Sequence, residues 1–473
     1  MARLKTLSSA QMTANAHQAL KCLDKRSDLP NPLGDLFLVR EARRASDLST
    51  GLAVDDILHT ALKMLEATHS PREADLLRLR FQDQATVSEV AARFNIVDST
   101  LHKKQREAIE HLAAILYEWE QQARDDYLIR LESKLLLPPQ TPLVGVAQPL
   151  AELWDLLTAP DAAWLIAIEG LGGLGKTALA NALLREMAVA PHFYGVAWVS
   201  AKQQEFWPDL GLRQTRQPAL DEESLVDALL EQLGDEPARA CPPPQKRAIL
   251  TGLLKKQPYL IVIDNLETVA DYESLLPLLL KLAQPGKFVL TSRSKVPPSL
   301  ATPFKVKPLT RADTLAFLDQ EARLRRLPAL AKASPAQLES IYEVVGGNPL
   351  ALKLVVGQIH ALPLSRVLDN LKKARGQTIE ELYTYIYWQD WQTLAEAGRH
   401  LLVTMPLAQN GALADVAQAS GLAGAALDQA LRQLIDLSLV EVSGEDVEDR
   451  RYHIHRLTET FLLNEVIQWQ ARA

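Results

Sequence analysis

One stretch constrains this chain more than any other: Gly170-Leu-Gly-Gly-Leu-Gly-Lys176-Thr177. Glycines at this density let the backbone curl until successive N–H groups converge on an anion. A helix-prone run, Ala178 to Met187, follows directly, and its N-terminal dipole favours negative charge at the same point. Lys176 offers a positive charge to β- and γ-phosphates, and the Thr177 hydroxyl is a natural Mg²⁺ ligand. The pattern matches the phosphate-loop motif without a mismatch, and the apolar run Trp164–Ile168 precedes it as a strand should. The expected ligand is a nucleoside triphosphate, ATP, held by Gly170, Gly172, Gly173, Leu174, Gly175, Lys176, Thr177 and Ala178. The plainer alternative is a glycine-rich turn that binds nothing.

The residues around this loop predict its setting. Trp164–Ile168, Gly195–Ser200, Tyr259–Asp264 and Lys287–Thr291 are short β-prone runs separated by helical stretches. They are apolar throughout rather than alternating, as strands of a parallel sheet covered on both faces should be. Ligands of such sheets sit at the carboxyl ends of the strands. That rule puts Asp264, at the end of Leu260-Ile-Val-Ile263, beside the loop as a direct or second-sphere Mg²⁺ partner; otherwise it caps a turn. Asn265 can orient a water but cannot take its proton. Glu267 could take it if its side chain faces the site, or it is simply solvated. Hydrolysis is therefore expected to be slow. Arg293, at the end of the last run, is read as a γ-phosphate sensor against the alternative of a surface arginine. The catalytic set is thus Lys176, Asp264, Glu267 and Arg293, with Thr177 and Asp264 on the metal.

With 473 residues the chain is too long for one core and suggests about three domains. A formal net charge of -7 argues against wholesale coating of nucleic acid, though not against one small DNA-reading module. Cys22 and Cys241 are far apart and form no metal or redox spacing, which fits a reducing compartment. Met1 to Leu20 lacks the apolar core of a signal peptide, and no apolar run approaches membrane-spanning length. The expectation is a cytoplasmic protein with no membrane association.

The flanking regions divide as follows. Residues 1–70 are a helix-prone segment of unassigned role. Residues 71–117 predict a helix-turn-helix: Thr86 with Glu89 is a capping box, Asn95 suits a sharp left-handed turn, and Asp98 or Ser99 can cap the next helix. Residues 118–139 read as a charged helical linker ended by Pro138 and Pro139, 140–305 as the nucleotide domain and 306–388 as a helical domain. Residues 389–473 end in two strand-like runs, Leu437–Val442 and Tyr452–Leu457, the pattern of a winged helix.

These segments also carry a resemblance. "GLGGLGKT", "LIVIDNLE", "VLTSR" and "GGNPLALKL" occur in this order with suitable gaps and resemble the NB-ARC branch of the STAND signalling ATPases. The resemblance runs from about Leu143 to Phe461, about two thirds of the chain. It implies an α/β fold: a P-loop NTPase parallel sheet flanked by all-α helix-turn-helix, helical and winged-helix domains. It further implies that Pro349 contacts adenine. Read from the residues alone, Gly347-Asn-Pro349 is simply a helix start with proline in its first turn. Ile454-His455-Arg456-Leu457 resembles the family's Met-His-Asp element, which gives His455 a contact to the ADP β-phosphate, with Arg456 in place of the Asp. His453 with His455 as a metal pair, or His455 as an ordinary strand residue, are the alternatives. Val146 stands where the family usually has an arginine near the start of the domain.

The stretch from Pro71 to Leu112 resembles sigma-factor region four. Its DNA contacts would be Ser99, Thr100, His102, Lys103 and Arg106, with Lys104 on phosphate. The acidic wing, Gly444 to Asp449, would repel phosphate. The implied function is an ATP/ADP switch with Mg²⁺. A homo-oligomer forms in the ATP state, and the helix-turn-helix is the output to transcription or defence. Because the chain stops near the end of the winged helix, a separate sensor protein is a candidate partner. The rivals are a DNA-binding regulator with an inert nucleotide site and an AAA+ loader. The latter would carry an arginine in the helix that begins Pro349-Leu-Ala-Leu-Lys353.

Overall fold

The computed structural model describes residues 8–24, 31–46, 48–135, 137, 142–159, 163–201, 221–234, 241–266, 269–292, 296–373, 383–384, 387–388, 390–392, 394–408, 411–437, 439–443, 449–454, 456–462 and 466. It divides into two units. One is built mainly from Arg3–Leu135 with Arg185–Tyr194, the other from Leu136–Leu184 and Gly195–Ala473.

The first unit is helical: α1 (Ser9–Lys21), α2 (Phe37–Ser46), α3 (Thr50–Thr68), α4 (Pro71–Leu77) running into a π-helical turn (Arg78–Gln82), α5 (Val87–Phe94) and α6 (Asp98–Leu135). Met12, Leu20, Leu58, Leu77, Leu112 and Leu116 belong to one buried cluster, so the segment before residue 70 shares its core with the helices that follow. At α5 the Glu89 amide donates to Thr86 Oγ1 at 3.3 Å, and the Thr86 amide donates to Glu89 Oε2 at 2.7 Å. Asn95 then takes a φ of 51° and ends the helix.

One expectation fails here. Neither Asp98 nor Ser99 caps α6; the helix already includes Asp98, and the Val97 carbonyl accepts the Leu101 amide at 3.0 Å. The helix continues through residue 118. α6 is one helix of 38 residues, because no glycine or proline interrupts it before Leu135.

Glu120, in the middle of α6, is only 2% exposed. Its Oε1 and Oε2 accept the amides of Phe37 and Leu38, each at 3.0 Å, and Arg124 Nε donates to Oε1 at 2.7 Å. A remote carboxylate thus caps the N-terminus of α2. Glu120→Ala strands a buried amide, a part-buried amide and a guanidinium. It is expected to cost about 3 kcal/mol, read as a lower denaturation midpoint together with faster hydrogen exchange at Phe37 and Leu38.

The second unit contains a five-stranded sheet of β1 (Leu165–Glu169), β2 (Gly195–Ser200), β3 (Tyr259–Asp264), β4 (Lys287–Ser292) and β5 (Thr302–Lys305), ordered β2-β3-β4-β1-β5. Every pairing is parallel. β1, β3 and β4 are buried at every residue, matching their unbroken apolar runs. β5 was not anticipated. It has four residues, contains Pro303 and, among the described residues, pairs only with β1, an edge position where a proline-bearing strand is tolerated. The sheet's helices are α7 (Ala147–Thr158), α8 (Lys176–Val189), of which Lys176–Leu184 belong to this unit, α9 (Glu222–Leu233), α10 (Pro243–Lys256) and α11 (Val269–Leu282).

Beyond the sheet come α12 (Arg311–Leu324), α13 (Pro328–Ala331), α14 (Pro335–Val345), α15 (Pro349–Ala361) and α16 (Leu364–Lys373). They are followed by α17 (Glu396–Thr404), α18 (Leu413–Ser420), α19 (Gly424–Asp436), the antiparallel hairpin β6 (Val440–Ser443) and β7 (Arg451–Ile454), and α20 (Arg456–Phe461). The hairpin is shorter than the sequence suggests: Leu437 closes α19, and β7 ends at Ile454. Leu352, Val356, Tyr387, Leu434, Leu437 and Phe461 lie in one buried cluster, so packing is continuous across residue 388. No helix among the described residues is long and apolar enough to cross a membrane.

Candidate nucleotide site

The loop Gly170–Gly175 leaves the C-terminal end of β1 and enters α8 at Lys176. Gly173 has a φ of 76°, and a Cβ there would stand 2.2 Å from Tyr383 Oη. Only glycine fits. Lys176 Nζ donates to the carbonyls of Gly170 and Leu171 at 2.8 and 2.9 Å, so its ammonium group lies along the loop rather than out in solvent. Thr177 and Ala178 form the first turn of α8 with it.

Asp264 ends β3 and is 3% exposed. Its Oδ1 accepts from Thr177 Oγ1 at 2.8 Å and from Thr291 Oγ1 at 2.5 Å. Thr291 sits in β4, one strand over, and its Oγ1 also accepts the Asn265 amide at 2.9 Å. Asn265 has a φ of 67°. Both residue types that sequence reasoning assigned to Mg²⁺ therefore meet across the sheet. The Thr177 hydroxyl spends its proton on Asp264 and keeps its lone pairs for a cation, so the pair fits a hard divalent ion with oxygen ligands. Thr291, which holds the carboxylate, was missed; nothing in the sequence signals its partner.

A second group of residues reaches the loop from α15. Asn348 is 3% exposed and caps that helix, its Oδ1 accepting the amides of Leu350 and Ala351 at 3.1 and 3.3 Å. Its Nδ2 donates to the Gly172 carbonyl at 3.1 Å, and the Leu350 amide donates to the Gly173 carbonyl at 3.3 Å. Tyr383 Oη is 2.6 Å from Asn348 Oδ1, as a donor, and 3.3 Å from the Gly172 carbonyl. Pro349, the first residue of α15, is half-buried beside this contact. Sequence reasoning named Pro349 but neither Asn348 nor Tyr383. Below them, Tyr383 stacks on Tyr387 with centroids 6.3 Å apart, and Tyr387 on Phe461 at 5.2 Å.

Glu267, Arg293 and His455 lie outside the described residues. Ser99, His102, Lys103, Lys104 and Arg106 are exposed in the first turns of α6, and Thr100 is half-buried. Two of the cations have acidic neighbours one turn on: Lys103 lies 3.8 Å from Glu107 and Arg106 3.8 Å from Glu110. Among the described residues no cluster of three or more histidine, cysteine or acidic side chains could hold a metal.

Comparison with known proteins addresses the same region. The NB-ARC domain family model matches residues 146–326. The chain is 27% identical over 222 residues to "Probable disease resistance RPP8-like protein 2" of Arabidopsis thaliana, covering 46% of this chain and 23% of that protein. It is 29% identical over 244 residues to "Probable disease resistance RPP8-like protein 4" of the same plant, covering 49% and 25%. The chain thus spans about a quarter of the length of these curated relatives. Among solved structures, a STAND protein with a tetratricopeptide repeat sensor from Pyrococcus horikoshii aligns with 70% of this chain and 43% of its own, at 17% identity and a TM-score of 0.46. The parallel sheet, the loop between β1 and α8 and the matched family model agree: residues 146–326 of this chain form an NB-ARC domain.

Proposed function

We propose that the chain is an adenine-nucleotide switch. Lys176 and the amides of the phosphate loop hold the β- and γ-phosphates; Thr177 and Asp264 hold Mg²⁺, which would neutralise phosphate charge; and Pro349 packs on the adenine. Arg293 reads the γ-phosphate, His455 the ADP β-phosphate, and Glu267 supports slow hydrolysis. In the ADP form, α12–α20 stay packed against the sheet domain. Exchange for ATP reorders them and permits assembly with further copies of the chain, the difference in affinity between the two forms setting the population. The N-terminal helices around α5 and α6 are the output, to DNA or protein, and a separate sensor protein supplies the trigger. The plant relatives' names speak of disease resistance, which supports a signalling context.

The observation that carries this reading is the hydrogen bond from Thr177 to the buried Asp264, placed beside a complete phosphate loop. The test is the nucleotide that copurifies with the protein. ADP on a monomer, with larger species appearing on ATP and Mg²⁺, is the expected result. Well-folded protein that takes up no adenine nucleotide in calorimetry, metal supplied, would remove the basis of the switch.

A further inference from the structure

Two consecutive carbonyls of the phosphate loop are held by groups from α15, with the tyrosine that follows it in the chain beside them. Gly172 O accepts from Asn348 Nδ2 at 3.1 Å and lies 3.3 Å from Tyr383 Oη; Gly173 O accepts from the Leu350 amide at 3.3 Å. A trans peptide points its C=O and the next residue's N–H in opposite directions. Holding Gly172 O therefore aims the Gly173 N–H away from α15, and holding Gly173 O does the same for the Leu174 N–H. These are two of the amides that a phosphate nest needs to converge.

The Asn348 side chain has no freedom to turn over. Its Oδ1 already takes three donors, the Leu350 and Ala351 amides and the Tyr383 hydroxyl, which leaves Nδ2 as the group facing Gly172. Asn348 and Tyr383 are buried at 3% and 4% exposure, so water competes little for these bonds. The contact is also close: a Cβ on Gly173 would stand 2.9 Å from Asn348 Oδ1 and from Leu350 Cβ.

We infer that Asn348 and Tyr383 are positioning residues that pre-set the phosphate-loop amides for a nucleoside polyphosphate, an inference that rests on the nucleotide reading above. A glycine-rich loop loses more freedom on ordering than any other backbone. A clamp that orders it beforehand removes that cost from binding. The stack of Tyr383 on Tyr387 and of Tyr387 on Phe461, with Thr458 Oγ1 donating to Tyr387 Oη at 3.1 Å, ties the clamp to the C-terminal core.

Tyr383→Phe keeps the ring and its stack and removes the hydroxyl alone. Asn348→Asp keeps the acceptor that caps α15 but turns the donor facing Gly172 O into a second acceptor. Titration calorimetry with ADP, and displacement of a fluorescent ADP by adenosine, separate phosphate from base binding on the full chain. The expected result is an ADP Kd raised roughly three- to tenfold in Tyr383→Phe and further in Asn348→Asp, with adenosine binding unchanged. ADP affinity equal to wild type in both variants would overturn the clamp alone. An equal loss for ADP and adenosine would also overturn it, by assigning the pair to packing. Wild-type protein without ADP binding would overturn the nucleotide reading and the clamp together.

Discussion

Lys176→Ala is expected to weaken ADP and ATP binding at least about a hundredfold while leaving the fold in place. The ammonium group donates to the carbonyls of Gly170 and Leu171, both part of the loop it serves, and the residue is half-buried. Truncation removes that charge from the loop. The charge matters because a diphosphate brings several negative charges onto a loop whose backbone donors are neutral amides. Charge-assisted hydrogen bonds are about twice as strong as neutral ones, and within the loop Lys176 supplies them. Calorimetry on the variant, with circular dichroism as the fold control, reads the effect. Retained affinity within about threefold of wild type would mean that the loop amides and the metal ligands hold the phosphates without it.

How far the sequence carried the reading depended on where each residue finds its partner. The phosphate loop and the strands β1, β2, β3 and β4 were legible because their signals are local: a glycine spacing, and apolar runs buried on both faces. The Thr86 capping box and the left-handed Asn95 were legible for the same reason, each being settled within a few residues. β5 was not, since an edge strand of four residues with a proline carries no apolar run to notice. Asp264 could be placed by a rule of sheet topology, but the hydroxyl that holds it, Thr291, comes from the next strand and has no spacing signature. Asn348 and Tyr383 were illegible for a stronger reason. Asn348 donates to a backbone carbonyl, Gly172 O, 176 residues away in sequence, Tyr383 donates to Asn348 beside that carbonyl, and a carbonyl looks alike at every position. Glu267, Arg293 and His455, read from position and resemblance, lie outside the described residues and stay part of the proposal.

Gly357→Ala should produce the largest change in how tightly the C-terminal helices are held. Gly357 lies in the middle of α15, where a glycine ordinarily costs about 1 kcal/mol relative to alanine. Its value is the approach it permits. A Cβ there would stand 2.4 Å from the Leu437 carbonyl oxygen, 2.6 Å from its carbon and 2.9 Å from its Cα. All three atoms are backbone, so no flexible side chain can swing aside, and Leu437 itself is buried at the end of α19. Around this point α15 is fastened to the same region by Lys353 Nζ to Glu441 Oε1 at 2.9 Å and by His360 within 3.9 Å of Asp436. The added methyl must push α15 and the end of α19 apart, an overpacking cost of about 1–3 kcal/mol set against the gain in helix propensity. The other end of α15 caps onto the phosphate loop through Asn348 and Leu350. In the proposed switch this is a contact of the ADP form, so a net loss of up to about 2 kcal/mol would raise the open population by up to about thirtyfold. Fluorescent ADP should leave the variant correspondingly faster in stopped-flow, with a lower melting temperature. Unchanged release together with unchanged melting would mean that α15 does not sit this close to Leu437 in solution. Lower melting with unchanged release would keep the packing but detach it from nucleotide exchange.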